Sequence, residues 1–173
     1  MENITIKKVG TKDIDQLQEI GRQTFFETFA SVNTAENMNE YLKNSFSTEK
    51  LKNELSDPHS EFYFAINTTD VIGYLKVNFG QSQTEIKEEN ALEIERIYVL
   101  KAFHGEKIGQ LLYEKAIEVA REKGVDYVWL GVWEENSRAI RFYQNNGFRE
   151  FDKHIFKLGD DEQTDIMMKL QIH

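Results

Sequence analysis

Cysteine is missing altogether and proline occurs once, at Pro58. Without a thiol the chain can build no disulfide, no thiolate metal site and no cysteine nucleophile, so any sulfur chemistry has to arrive with a ligand. Histidine is scarce too: His59, His104, His154 and His173 stand far apart with no HxxxH spacing, and no metal site is expected. No apolar run approaches the roughly 20 residues that a membrane helix requires. The opening segment MENITIKKVG also lacks the apolar core of a signal peptide, so a cytoplasmic protein without membrane contact is the expectation. Positive charge is in the minority, with 21 Lys and Arg against 30 Asp and Glu and a net charge of −9. That balance argues against nucleic acid as a partner, because such binding rests on clustered Lys and Arg. It serves solubility and mildly favours a cationic partner. Three signatures are absent as well: GxxxxGK of nucleotide triphosphate sites, GxGxxG of dinucleotide folds and GxSxG of hydrolases.

What is present fits one domain over residues 1–173, with 40% hydrophobic content and no internal repeat, low-complexity tract or linker. Ile4 to Val9 alternates as a first strand, and Thr11 is a plausible N-cap for a helix through Ile14, Leu17 and Ile20 that runs on into TFFETFA. Phe25, Phe26 and Phe29 sit at helical spacing and are expected in the core. Asn33 or Thr34 can cap a second helix through Met38, Tyr41 and Leu42. Ser47 or Thr48 can cap a third through Leu51 and Leu55, ended by Asp57-Pro58. The period then changes. EFYFAI and VIGYLKVNF read as a hairpin around NTTD, and Gly80 to Asn90, GQSQTEIKEEN, as a solvated acidic connection.

The stretch from Glu93 to Gly109, EIERIYVLKAFHGEKIG, begins as a strand and turns through Lys101 to His104 into a helix carrying Ile108, Leu111, Leu112, Ala116, Val119 and Ala120. Such a turn into a helix N-terminus is a common anion site, because the first helical N–H groups are unpaired and the dipole favours negative charge. Gly124 is a good C-cap, and VDYVWLGVW reads as a buried strand of the parallel kind. Asn136 or Ser137 can cap the short helix SRAIRFYQNN, closed by Gly147. Phe148 to Lys157 and Thr164 to Ile172 read as final strands around the acidic turn LGDDEQ. The order predicts an α/β fold of the α+β sort: a mixed sheet flanked by helices, with one strand–helix–strand crossover at its centre. Ligands of such sheets sit beyond the carboxyl ends of the parallel strands, so the turn from His104 to Gly109 and the helix from Asn136 to Tyr143 should meet at one site.

ERIYVLKAFHGEKIGQLLYEKA resembles the acetyl-CoA-binding core of the GCN5-related N-acetyltransferase (GNAT) superfamily. WEENSRAIRFYQNNGF is similar to that superfamily's second signature, N-x-x-A-x-x-F-Y-x-x-x-G-F, with Asn136, Ala139, Phe142, Tyr143, Gly147 and Phe148 all in place. The resemblance implies a mostly antiparallel central sheet with a parallel pair at its centre. TFFETFAS, NTAENMNEYL, LEIERIYV, LGVWEENSRAIRFY and LGDDEQTDIMM further resemble the Pai-type branch, whose members acetylate spermidine and spermine.

The implied activity is transfer of an acetyl group from acetyl-CoA, as co-substrate, to a primary amine of a small cationic molecule, a polyamine foremost. A non-catalytic CoA-binding regulatory module and a protein N-terminal acetyltransferase are the alternatives. By resemblance, the backbone of Ile97, Tyr98 and Val99 holds the pantetheine and carbonyl. The loop His104, Gly105, Glu106, Lys107, Ile108, Gly109 and Gln110 receives the pyrophosphate, and Asn136 fixes the cofactor or caps its helix. Tyr143 matches the family's general acid, its alternative being a core aromatic beside Phe142.

An alkyl amine with a pKa near 10.4 needs a base or a water chain ending at a carboxylate. Glu93 and Glu95, two apart and so on one strand face, are the candidates; either could instead be a strand Glu paired with a neighbour such as Arg96. One departure stands out. The family's loop has Gln or Arg where this chain has His104, and Gly where it has Lys107; Gly105 could supply the missing flexibility, and the Lys107 ammonium could reach a phosphate. A homodimer, the commonest soluble assembly, is compatible with all of this.

Overall fold

The computed structural model describes residues 3–172; Met1, Glu2 and His173, the last among the four histidines weighed as metal ligands, lie outside it. Seven strands form a single sheet in the order β1-β2-β3-β4-β5-β7-β6. They are β1 (Ile4–Lys8), β2 (Ser60–Asn67), β3 (Asp70–Phe79), β4 (Ala91–Val99), β5 (Tyr127–Trp133), β6 (Arg149–Leu158) and β7 (Asp161–Gln171). Every pairing is antiparallel except the central one, β4 with β5. This is the mixed, mostly antiparallel sheet with a central parallel pair that the sequence implied.

The helices are α1 (Ile14–Phe29), α2 (Ala35–Ser45), α3 (Thr48–Ser56), α4 (Ile108–Lys123) and α5 (Ser137–Asn145). Strand alternation divides the core between the sheet's two faces. Phe62, Phe64 and Tyr74 point to the cluster with α1, α2 and α3, while Tyr63, Ala65, Leu75 and Val77 point to the cluster with α4 and α5. Among the described residues no helix is long and apolar enough to cross a membrane.

Helix starts follow side-chain chemistry. Thr34, Ser47 and Asn136 accept hydrogen bonds from the N–H groups of Asn37, Lys50 and Ala139, as N-caps do. Thr11 does not cap α1. It opens a short 3-10 turn, and Asp13 reaches back instead, its Oδ2 accepting from the Gly10 N–H at 2.9 Å. Gly124 ends α4 at φ 71°, and Gly147 follows α5 at φ 96°, both in the left-handed region that glycine enters without steric cost.

Two expectations are corrected. Phe25 and Phe29 are buried with ring centroids 4.5 Å apart, but Phe26 lies off the buried stripe and is 52% exposed. The turn between β6 and β7 is only Gly159-Asp160, because Glu162 and Gln163 already pair with Lys157 and Phe156. Gln163 is held in the strand by accepting from Trp133 Nε1 at 2.8 Å, which polarity alone does not reveal.

Candidate active site

The site exists because β4 and β5 part company. They are in register only from Ala91–Ile94 against Tyr127–Leu130. At that point Glu95 is an extra residue in β4: against β3, Ile94 sits opposite Val77 and Arg96 opposite Lys76, leaving Glu95 unmatched. A bulge of this kind bends its strand. Beyond it the remaining lengths of β4 and β5 border an open cleft rather than one another. The cleft has an outer chamber of about 840 Å³ and an inner one of about 290 Å³. Thr28, Ile97, Tyr98, Trp133, Asn136, Ala139 and Tyr143 line both, so the two chambers communicate.

The outer chamber lies at the N-terminus of α4. Ile97, Tyr98, Val99, His104, Gly105, Lys107, Ile108, Gly109, Gln110 and Asn136 all line it, whereas Glu106 does not. Among the described residues no side chain caps α4, which leaves its first N–H groups free for an anion. Gly105 has φ 88°, yet it does not relieve its neighbour: Lys107 itself takes the left-handed conformation at φ 65°. That conformation costs an L-residue about 1–2 kcal/mol and explains why glycine would suit the position better. The His104 ring lies 2.8 Å from the Val99 carbonyl through Nε2, which ties the turn to the end of β4. Lys101, Arg138 and Arg141, which the sequence reading passed over, add three cations to the lining. An uncapped helix start surrounded by cations suits a ligand carrying several phosphate charges.

The inner chamber has a different character. Aromatic side chains of α1, α2, β5 and β6, among them Phe25, Phe29, Tyr41, Trp129, Trp133 and Phe156, surround Glu93, Glu95 and Asp165. Glu93 and Glu95 do share one side of β4, and one amide holds both: Asn78 Nδ2 donates to Glu93 Oε1 at 3.0 Å and to Glu95 Oε1 at 2.8 Å. The bulge turns Arg96 to that side too. Glu95 thereby lies 2.8 Å from Lys76 Nζ and 3.3 Å from Arg96 Nη2, and both cations also approach Glu54 of α3.

Burial alone would raise the Glu95 carboxyl, but Arg96, Lys76 and the Asn78 bond together outweigh it and hold the group at about 2. Glu93 goes the other way. Burial raises it, opposed only in part by hydrogen bonds from Thr84 and Asn78, and the nearby Glu95 charge adds to the rise.

Those Thr84 bonds correct the reading of residues 80 to 90 as a merely solvated loop. Thr84 donates to Glu93 through its N–H at 2.8 Å and its hydroxyl at 2.6 Å, and Gln83 accepts from Trp129 Nε1 at 2.7 Å. Tyr127 donates to Glu88, and Ile86 packs beside Trp129 and Met167. The loop therefore pins Glu93 from outside the sheet. His154 and Asp165, partners across β6 and β7, are further lining residues that the sequence reading missed.

Tyr143 stands where the chambers meet. Its ring is 5% exposed and packs against Phe142 and Phe148, at centroid distances of 5.2 and 5.6 Å. Among the described residues its hydroxyl takes part in no hydrogen bond, and burial, with a smaller contribution from Tyr113, pushes the phenol above its ordinary range. It is thus a proton donor that stays protonated and is free to bond a ligand. Asn136 beside it accepts from the Ala139 N–H at 3.1 Å, so its side-chain oxygen caps α5 while the residue borders both chambers.

Residues 14–148 match the profile of the Acetyltransferase (GNAT) family. An uncharacterized N-acetyltransferase of Lactobacillus delbrueckii subsp. lactis is 41% identical over 169 residues, covering 98% of each chain. A spermidine N(1)-acetyltransferase of Thermoplasma acidophilum is 26% identical over 171 residues, covering 96% of each. Among solved structures, the PaiA N-acetyltransferase of Thermoplasma acidophilum in complex with coenzyme A superposes with a TM-score of 0.80 at 26% identity, over 98% of this chain and 99% of that one.

Proposed function

Because the chain belongs to the acetyltransferase (GNAT) family and is an acetyl-CoA-dependent N-acetyltransferase, we propose that its acceptor is a small cationic amine, a polyamine such as spermidine or spermine, acetylated by direct transfer in a ternary complex. The observation that carries this reading is the pairing of chambers: a cation-lined one at a helix N-terminus opening, at Tyr143, into one walled by aromatic rings and carboxylates. Aromatic faces and carboxylates are what an ammonium-bearing chain needs when it leaves water. The named activity of the Thermoplasma relative is in keeping with it.

Acetyl-CoA supplies a thioester whose acyl carbon an amine can attack. In the outer chamber the first-turn N–H groups of α4, with Lys101, Lys107, Arg138 and Arg141, hold the pyrophosphate and neighbouring phosphate charge. The freed backbone of Ile97, Tyr98 and Val99 lies along the pantetheine path. Tyr143 donates its proton to the departing thiolate, and its phenolate then takes the second proton that leaves the attacking nitrogen as the amide forms. Burial keeps the phenol protonated beforehand, and among the described residues its hydroxyl has no competing partner to leave.

Proton removal from the incoming ammonium falls to Glu93 rather than Glu95. A carboxyl held at about 2 by two cations is a poor base, whereas one raised by burial accepts a proton more readily. The Thr84 hydroxyl donates to Glu93 Oε2 and borders the chamber, so its own lone pairs can accept from a water or an ammonium and relay the proton inward. Glu95 keeps the cluster of Lys76, Arg96 and Glu54 neutral overall and fixes Asn78 beside Glu93.

The test is to incubate the protein with acetyl-CoA and spermidine, spermine, aminoglycosides or peptides and to follow free CoA. Polyamines should be the preferred acceptors. Peptide turnover exceeding theirs, or silence across the panel from protein that binds acetyl-CoA, would overturn the reading.

A further inference from the structure

Three carboxylates line the inner chamber, and two of them are already committed. Glu93 accepts three hydrogen bonds, from Thr84 twice and from Asn78, and Glu95 is bonded by Asn78 and flanked by two cations. Asp165 is the exception. Its side chain is 16% exposed, it takes part in no side-chain hydrogen bond among the described residues, and its nearest charge-bearing partner is His154 Nε2 at 3.5 Å. Burial raises its carboxyl, opposed by His154 and reinforced by Glu85, as befits an acid short of a donor. His154 itself lies between two acids, with Nδ1 3.2 Å from Glu85 Oε2, yet Nδ1 has no hydrogen-bond partner among the described residues.

The position of Asp165 matters as much as its open valence. It pairs with Trp133 at the mouth of β5, lines the inner chamber and is absent from the outer one. Glu93 and Glu95 belong to β4 and Asp165 to β7, with only β5 between them. Glu93 is level with Trp129 and Asp165 with Trp133, so the acidic walls lie apart by two inter-strand spacings across the sheet, about 10 Å, and by four residues along β5, about 13 Å. The floor between them is bare at Gly131. A Cβ there would sit 3.3 Å from His154 Cε1 and 3.4 Å from Asp165 Oδ2, tighter than ordinary contact, so the missing side chain leaves room for both beside the strand. Trp133 and Phe156 add aromatic side chains to the same chamber.

We propose that Asp165 is a specificity residue that receives a second cationic nitrogen of the acceptor, remote from the one acetylated. The chamber then selects extended linear amines that carry two or more ammonium groups over amines with a single charge. This rests on the polyamine reading above and adds to it the residue that recognises the unreacted end. An ammonium at Asp165 would restore the donor that the carboxylate lacks, at the strength of a charge-assisted bond.

Steady-state acetylation of spermidine and of butylamine, followed by CoA release, separates the possibilities. Asp165→Asn should raise KM for spermidine on the order of 10- to 100-fold, the loss of one charged hydrogen bond. The KM for acetyl-CoA should not move, and the preference for spermidine over butylamine should collapse. Asp165→Glu should restore part of that preference, which a merely structural role would not do. Gly131→Ala, a smaller perturbation, should penalise spermidine more than butylamine. An unchanged spermidine-to-butylamine ratio in Asp165→Asn and Gly131→Ala overturns the inference while leaving the polyamine reading intact. A wild-type protein that acetylates other amines and not spermidine overturns the polyamine reading itself.

Discussion

Replacing Glu95 by Gln removes one charge from a buried group of two cations and two anions while keeping the shape of the side chain. Lys76 and Arg96, 7% and 12% exposed, would be left with Glu54 as their remaining carboxylate partner in the cluster. Two independent routes give the size of the effect. Truncating one member of a buried ion pair costs about 3–5 kcal/mol, because the remaining charge stays desolvated. Linkage gives a similar figure: a carboxyl held at about 2 rather than its ordinary 4.5 corresponds to about 3 kcal/mol at roughly 1.4 kcal/mol per unit. Since the folded value lies below the unfolded one, this stability is fully present above about 4.5 and is lost as pH falls toward about 2.

Urea unfolding from pH 7 downward reads both features. Glu95→Gln should be about 3 kcal/mol less stable near neutrality, and the gap should close through the acid range, since a protonated Glu95 is as uncharged as Gln. Adding Lys76→Met should cost less than it does alone, as expected of coupled charges. Equal stability of variant and wild type at pH 7, or a gap indifferent to pH, would refute the assignment of Glu95 as a structural anion.

Three further outcomes follow from the site. The acid limb of kcat/KM for the amine should lie above the ordinary carboxylate range, because burial raises Glu93 and activity requires its unprotonated form; Glu93→Gln should lower turnover by about 10²–10⁴ and abolish that limb, and a limb that persists in the variant would exclude Glu93 as the base. Thr84→Val should shift the same limb while leaving acetyl-CoA binding alone, since the hydroxyl touches Glu93 and the inner chamber only. Lys107→Gly should have two effects of opposite sign: relief of the left-handed lysine should stabilise the fold by up to about 1 kcal/mol in denaturant titrations, while loss of an ammonium from the chamber lining should weaken CoA binding in calorimetry. A variant that is neither more stable nor weaker in binding would contradict both parts.

The features legible in the sequence are those with local causes. Helical and strand periods gave the element order, short polar side chains gave the caps at Thr34, Ser47 and Asn136, and the two motif stretches brought Val99, Lys107 and Tyr143 to one cleft. Features that depend on pairing between distant strands were not legible. The bulge at Glu95 is set by its match to Lys76 and Val77, although two consecutive charges, Glu95 and Arg96, in a half-buried strand were a hint. Gln83 and Thr84 were hidden because a polar loop was judged by its average composition, while two of its side chains point inward to Trp129 and Glu93. Asp165 could have been flagged as a lone acid entering the apolar run IMM, but its nearness to His154 and Gly131 needed the sheet order β5-β7-β6. Lys107 shows the converse: the departure from glycine was visible, and the backbone angle gives its physical cost.

The most direct test of the account is a pair of measurements on the same samples of wild type and Tyr143→Phe: CoA affinity by calorimetry and kcat with saturating spermidine and acetyl-CoA. The buried ring should keep its packing against Phe142 and Phe148 when only the hydroxyl is removed. Affinity should therefore hold within about twofold while kcat falls by roughly 10²-fold or more, as for loss of a positioned acid. Unchanged turnover in Tyr143→Phe would contradict the claim that the junction of the two chambers is where the acetyl group changes hands.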